Sequence, residues 1–203
     1  MCIYLNIRML VIGNGESRAG IDVSALNGPL VGCNGAMRDF NLDYLVCIDT
    51  KMVDEAVRRK ITYPTLIYTR QQSMLRYPNV SNLRAVPDLP YQDINRWDDP
   101  HHWGSGPYAV LIAANYSHER EVKLLGFDLY SKNQLINNVY KDTNGYKEST
   151  SAAIDSRYWI HQIGMVFQCF PKTKFIVYQE DGWELPKAWK ERNVSLDRIS
   201  NIS

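Results

Sequence analysis

Asn14 and Asn34 each follow an apolar run and each precede a glycine, in Gly13-Asn14-Gly15 and Cys33-Asn34-Gly35. A primary amide donates to a phosphate oxygen and accepts from a ribose hydroxyl, so two amides at strand ends suit a nucleotide. Asparagine also tolerates left-handed backbone, so each one alone reads equally well as a turn residue. Asp128 and Tyr130 close the run "LLGFDLY", and the polar stretch beyond it supplies Tyr140 and Tyr146. Phenols donate hydrogen bonds at neutral pH and can stabilise a departing phosphate without a metal; loop tyrosines are also ordinary surface anchors. Ser105 and Gly106 lie in "WGSGPYAVLIAANY", where the unpaired N–H groups of a starting helix favour an anionic or electron-rich group. Local physics reads Ser105 first as an N-cap. His161 follows Tyr158 by one turn in "RYWIHQIG", on an expected helix. Imidazole titrates where a proton acceptor works at neutral pH, although a lone helical histidine is more often structural.

Positioning such residues calls for strands that end together. The apolar runs at Met9–Ile12, Pro29–Gly35, Asp43–Thr50 and Thr65–Thr69 read as strands, and "KMVDEAVRRKI" places Met52, Val53, Ala56, Val57 and Ile61 at helical spacing between the last two. A helix from the Gly104-Ser105-Gly106 region, the strand "EVKLLGFDLY", a helix over Ser151–Phe170 and the strand "KFIVYQEDG" continue the alternation. Strand–helix–strand order predicts a single α/β domain over residues 1–203: a Rossmann-like, doubly wound, mostly parallel sheet with helices on both faces. In that architecture Asn14, Asn34, Asp49 and Asp128 face one crevice beyond the strand ends, where small residues let a ligand approach the backbone. The stretches 70–103 and 131–149 read as irregular loops or lids, and Trp189 in the polar tail as a residue that packs back onto the body.

At 203 residues and 45% hydrophobic content the chain supports one substantial core, and a net charge of +1 gives no basic footprint for a nucleic-acid partner. Cys2, Cys33, Cys47 and Cys169 form no CxxC pair and read as reduced thiols. With no leader and no apolar stretch near the ~20 residues that span a bilayer, the expectation is a soluble, cytoplasmic protein, of cellular or viral source. Arg18 occupies the third glycine of a GxGxxG pattern, GxxxxGK[ST] is absent, and the histidines have no zinc spacing; a nicotinamide dehydrogenase, a P-loop phosphotransferase and a metal site are disfavoured.

Together the motifs resemble the Campylobacter-type bacterial sialyltransferases, glycosyltransferase family 42, and the broader DUF115-like group. The resemblance is carried by "VIGNGES" (with Gly13, Asn14, Gly15 and Ser17), "GCNG" (Asn34), "GSGPYAVLIAA" (Ser105, Gly106), "LLGFDLY" (Asp128, Tyr130) and "YWIH" (Tyr158, His161), in the family's order over roughly half of the chain. It implies transfer of sialic acid from CMP-sialic acid to a glycan or small-molecule acceptor hydroxyl, with no required cofactor or metal. His161 then corresponds to the general base and Tyr130 to the first tyrosine on the leaving phosphate. Tyr140 corresponds to the second, at a longer interval than the family has. The glycine-asparagine motifs, Ser17, Ser105, Gly106, Asp128 and Tyr158 fall to the nucleotide side. Glu16 and Arg18 depart from the family pattern, which has proline and an apolar residue there. Two other readings stand beside this one: a magnesium- and ATP-dependent pterin pyrophosphokinase using Asp49 and Asp128, and a non-catalytic binding or assembly module.

Overall fold

A computed structural model of the chain describes residues 8–23, 26, 28–91, 99–131 and 133–202. Its centre is a sheet of eight strands: β1 (Arg8–Ile12), β2 (Leu30–Cys33), β3 (Tyr44–Val46), β4 (Leu66–Thr69), β5 (Leu83–Ala85), β6 (Glu121–Leu125), β7 (Lys174–Gln179) and β8 (Val194–Arg198). The spatial order is β5-β4-β3-β2-β1-β6-β7-β8, and every pairing is parallel. The chain thus builds outward from β1 to one edge, returns across the sheet, and builds outward from β6 to the other. Neighbours β1 and β6 leave in opposite directions, which opens the topological switch point where α/β folds bind ligands.

Alternation along β1 divides the core. Met9 and Val11 point to the face covered by α3 (Ser105–Tyr116) and α4 (Arg157–Cys169), together with Phe167, Phe175 and Trp189. Leu10 and Ile12 point to the face covered by α1 (Thr50–Arg58) through Met52, Val53 and Ala56. The returning helix α3 packs over β1, β2 and β3, and its residues Pro107–Ala114 are all buried, which explains a helix with no polar face. Because it then feeds β6, its N-terminus lies at the C-terminal edge of the sheet. A short helix, α2 (Gln71–Met74), precedes β5.

The expected Rossmann-like parallel sheet with helices on both faces is present, and every pairing in it is parallel. Two expectations are corrected. The stretch 70–103 is not uniformly irregular, since it contains α2 and the edge strand β5; residues 92–98 lie outside the described residues. The polar tail supplies β8, an edge strand whose exposed Ser195 and Leu196 hide the usual apolar signature. Trp189 does pack onto the body: it is fully buried and its Nε1–H donates to Ile160 O at 2.8 Å. Cys33 and Cys47 are buried free thiols, and Cys2 lies outside the described residues. No helix among the described residues is long and apolar enough to cross a membrane.

Candidate active site

At the switch point the ends of β1 and β6 lie against each other. Gly13 N donates to Leu125 O at 2.8 Å and Gly15 N to Gly126 O at 2.9 Å. A Cβ on Gly13 would stand 2.3 Å from Gly126 O, and one on Gly15 2.3 Å from Asp128 Oδ1. The two glycines thus serve the approach of two strand ends, a demand made by the protein itself rather than by a ligand. Asp128, itself buried, accepts from Ser17 N at 2.9 Å, from the Ser17 hydroxyl and from Gln179 Nε2 at 3.3 Å. Ser17 and Asp128 therefore clamp the loop after β1 to β6.

A crevice of about 370 Å³ opens above this clamp, lined by Gly13, Asn14, Gly15, Asn34, Ser105, Gly106 and Asp128 among others. Its volume falls in the range of small-molecule sites. Asn34 adopts a left-handed φ of 49° and accepts from the Ser105 hydroxyl at 2.8 Å, while that hydroxyl oxygen accepts from Ile48 N at 3.0 Å. This relay fixes the Asn34 amide with its oxygen toward Ser105, leaving its NH2 group for the crevice. Ser105 is the first residue inside α3 and Gly104 is the N-cap, so the expected N-cap role for Ser105 is replaced by this tie to β3 and Asn34. The start of the twelve-residue helix lines the crevice through Ser105 and Gly106, whose N–H groups have no partner within the helix.

The segment 133–149 forms the opposite wall. It is pinned by Val139 N to Asn14 O at 2.9 Å, by Arg38 Nη2 to Asn144 O at 2.7 Å and by Lys51 Nζ to Gly145 O at 2.6 Å. These bonds bring Tyr146 into the lining. Its hydroxyl oxygen accepts from Gly35 N at 2.7 Å and from Asn14 Nδ2 at 3.3 Å, so its own proton remains to donate; burial pushes the phenol pKa up and keeps that proton in place. Asn14 Oδ1 is buried without a partner. The wall therefore offers phenol, amide and helix N–H donors beside one unmatched acceptor, with the lysines 51 and 147 adding positive charge.

Other expected residues lie elsewhere. Tyr140 is buried, donating to Asp39 Oδ2 at 2.5 Å and accepting from Arg18 Nη2 at 2.6 Å; burial raises its pKa also. Arg18, the departure from the glycine motif, is thus the buried cation that holds Tyr140 and pairs with Asp39 at 3.2 Å. Tyr130 is 45% exposed and packs on Trp183 with ring centroids 6.0 Å apart. On α4 the residues lining the crevice are Trp159 and Ile163. At 3.6 residues per turn His161 stands about 200° around the helix from either. It is half-buried there, and neither it nor Tyr158, Tyr130, Tyr140 or Ser17 belongs to the crevice lining. Asp49 and Asp128 both line the crevice, yet Asp128 is occupied by Ser17 and Gln179 rather than turned to a cation.

No protein-family model and no curated protein sequence matches the chain. Solved structures do. The chain shares its fold with the CstII sialyltransferases. A CstII variant in complex with CMP matches with a TM-score of 0.54 and 18% identity, over 84% of this chain and 80% of that one. CstII in complex with a trisaccharide acceptor and CMP matches with a TM-score of 0.50 and 18% identity, over the same shares. At this identity the likeness to the sialyltransferases is one of fold.

Proposed function

We propose that this chain is a sialyltransferase-like glycosyltransferase that binds a CMP-sugar in the crevice between β1, β6 and the N-terminus of α3. In this reaction an acceptor hydroxyl oxygen bonds to the anomeric carbon as the bond from that carbon to the CMP phosphate breaks. Negative charge grows on the leaving phosphate. The Tyr146 hydroxyl, the Asn34 NH2 group and the first N–H groups of α3 are the donors suited to receive it, and preorganised donors of this kind contribute the largest share of stabilisation in many enzymes. The unmatched Asn14 Oδ1 suits a ribose hydroxyl. The motif match points to His161 for the acceptor's proton, whereas the crevice face of α4 is formed by Trp159 and Ile163.

The observation that carries this reading is Tyr146, a neutral phenol whose acceptor capacity is filled by Gly35 and Asn14 and whose proton is left for an anion in the crevice. Calorimetric titration of the chain with CMP, UDP, GDP and ATP tests it. Saturable binding of CMP in preference to the others is expected, with a rise in melting temperature that follows from mass action. Absence of saturable CMP binding would reject the reading.

A further inference from the structure

Residues 56–87 hold six arginines and lysines and no aspartate or glutamate, in a chain whose net charge is only +1. Four of the six stand where β4 and β5 begin, at the N-terminal edge of the sheet. Arg58, Arg59 and Lys60 end α1 there and are exposed. Arg84 reaches the same place from β5, since its Nη1 donates to Ser81 O at 2.9 Å and its Nη2 to the Tyr63 hydroxyl at 2.6 Å. That hydroxyl donates in turn to Ser81 O at 3.0 Å, which fixes a ring that is 53% exposed. Beneath them the buried Asn82 donates through Nδ2 to Ile61 O at 3.1 Å and to Thr65 O at 2.9 Å, tying the end of α1, the turn with Tyr63 and the start of β5 into one unit. The stretch returning from α2 to β5 adds Leu75, 77% exposed, and Arg76; its Tyr77 and Val80 pack into the same core as Val57 and Ile61 of the α1 end. Arg59 pairs with Glu55, whereas Arg58, Lys60, Arg76 and Arg84 pair with no carboxylate among the described residues. Asp43, which precedes β3 on this edge, has its carboxylate bonded to Leu30 N at 2.8 Å, on the β2 side. Arg70, the sixth cation, lies at the other end of β4 and donates to His101 O.

We propose that this edge is a docking surface for an anionic phospholipid bilayer, with Arg58, Lys60, Arg76 and Arg84 against the headgroups and Leu75 and Tyr63 entering between them. Cations gathered without counter-charges repel one another and return nothing to the fold, but they are drawn to an anionic surface within a Debye length. Leu75 decides between anionic partners. Nucleic-acid phosphates would take the cations and leave the leucine in water, whereas a bilayer offers it the acyl boundary beneath the headgroups. The crevice opens at the C-terminal ends of the strands, so a chain docked by their N-terminal edge keeps it turned away from the bilayer. Docking here is independent of what the crevice binds.

Flotation of the full chain with vesicles of phosphatidylcholine alone, and with vesicles of equal parts phosphatidylcholine and phosphatidylglycerol, tests the surface. Binding to the mixed vesicles that weakens as salt is raised is expected, with little binding to phosphatidylcholine alone. Each cation near an anionic surface changes partitioning about fivefold, so Arg58→Gln with Lys60→Gln is expected to weaken binding by about 25-fold. Leu75→Ser is expected to weaken it by about tenfold, the scale of a leucine side chain returned to water. Lys187→Gln with Lys190→Gln removes the same charge from an exposed stretch beside α4 and is expected to change binding by less than about twofold. Melting temperatures of the variants separate a lost contact from a lost fold. No partition into the mixed vesicles, an equal loss in the two double variants, or full binding by Leu75→Ser would overturn the surface. So would tighter binding of a single-stranded RNA probe than of the vesicles, or a dimer in sedimentation velocity that Arg58→Gln with Lys60→Gln dissolves, since either gives the cations another partner.

Discussion

The Tyr146 hydroxyl oxygen lies 2.7 Å from Gly35 N, and the ring reaches that position only because residue 35 has no side chain: a Cβ there would stand 2.7 Å from the same oxygen and 2.6 Å from the Tyr140 ring. Gly35 therefore admits the wall that carries the crevice's phenol. Tyr146→Phe removes the acceptor for Gly35 N and the donor for a bound phosphate together. It is expected to weaken CMP by about 10- to 100-fold, the scale of a hydrogen bond to a charged group. It should also lower stability by about 1–2 kcal/mol. Calorimetry and thermal unfolding measure the two effects separately, and unchanged CMP affinity would remove Tyr146 from the site.

Gly13 and Gly15 face clashes of different kinds, and their alanine variants should differ accordingly. On Gly13 the added methyl meets the backbone oxygen of Gly126, which directly follows β6 and is held by the bond it accepts from Gly15 N. On Gly15 it meets the Asp128 carboxylate, a side chain that can rotate at the cost of its bonds to Ser17 and Gln179. Both are expected to destabilise by about 1–3 kcal/mol, with Gly13→Ala the worse of the two. Chemical denaturation curves give the ranking, and the reverse order would show that the clamp matters more than the strand contact.

The wall also carries a pH dependence. Arg38 forms a bidentate pair with Glu55, Nε to Oε1 at 2.8 Å and Nη2 to Oε2 at 2.6 Å, and the same guanidinium donates to Thr143 Oγ1 and Asn144 O. The hydrogen bond from Arg38 holds the Glu55 carboxyl below its ordinary value, against a smaller opposing effect of burial. A depressed carboxylate pKa contributes stability that is present above the unfolded value of about 4.3 and is lost as pH falls through the folded one. Melting temperature is therefore expected to fall below about pH 4.3, and CMP binding to weaken with it as the segment 140–146 loosens. In Glu55→Gln this acid-dependent part should vanish; persistence of the same pH profile would assign it to other carboxylates.

Much of this architecture could be read from residue order. The runs of β1 and β6 are apolar on both faces because helices cover both, and the glycines at their ends mark where the two strands meet. β5 and β8 were hidden because one has three residues and the other is an edge strand with exposed positions. Asn14 and Asn34 were legible as crevice residues since each ends a neighbouring strand. Tyr146 was not, because it arrives through a segment whose path depends on distant bonds from Arg38 and Lys51. The interval between Tyr158 and His161 was visible, but the rotational setting of α4 depends on which of its faces packs. That setting follows from the burial of Gln162, Ile163, Val166 and Phe167.

Cys33 gives the crevice a chemical reporter. It lines the site at the end of β2, its Sγ lies 3.8 Å from Ile12 O, and burial pushes its thiol pKa up to about 12. A thiol so far above the working pH holds almost no thiolate, so iodoacetamide at pH 8 should leave Cys33 unmodified in the folded chain and alkylate it readily in denaturant. Rapid native labelling at Cys33 would mean that the strand ends open far more than the β1–β2 pairing allows.

His161 separates binding from transfer. With Trp159 and Ile163 on the crevice side of α4 and His161 about 200° away, removal of the imidazole leaves every wall donor in place. His161→Ala is therefore expected to bind CMP within about twofold of the parent chain, a difference of about 0.4 kcal/mol. If His161 takes the acceptor proton as proposed, the same variant loses transfer by about 10²- to 10⁴-fold, the usual contribution of a general base. The control is on the same helix: Trp159→Ala removes a wall residue and should weaken CMP itself. Retained transfer in His161→Ala would mean that the proton leaves by another group, and the exposed carboxylate of Asp49 is then the wall residue to substitute next.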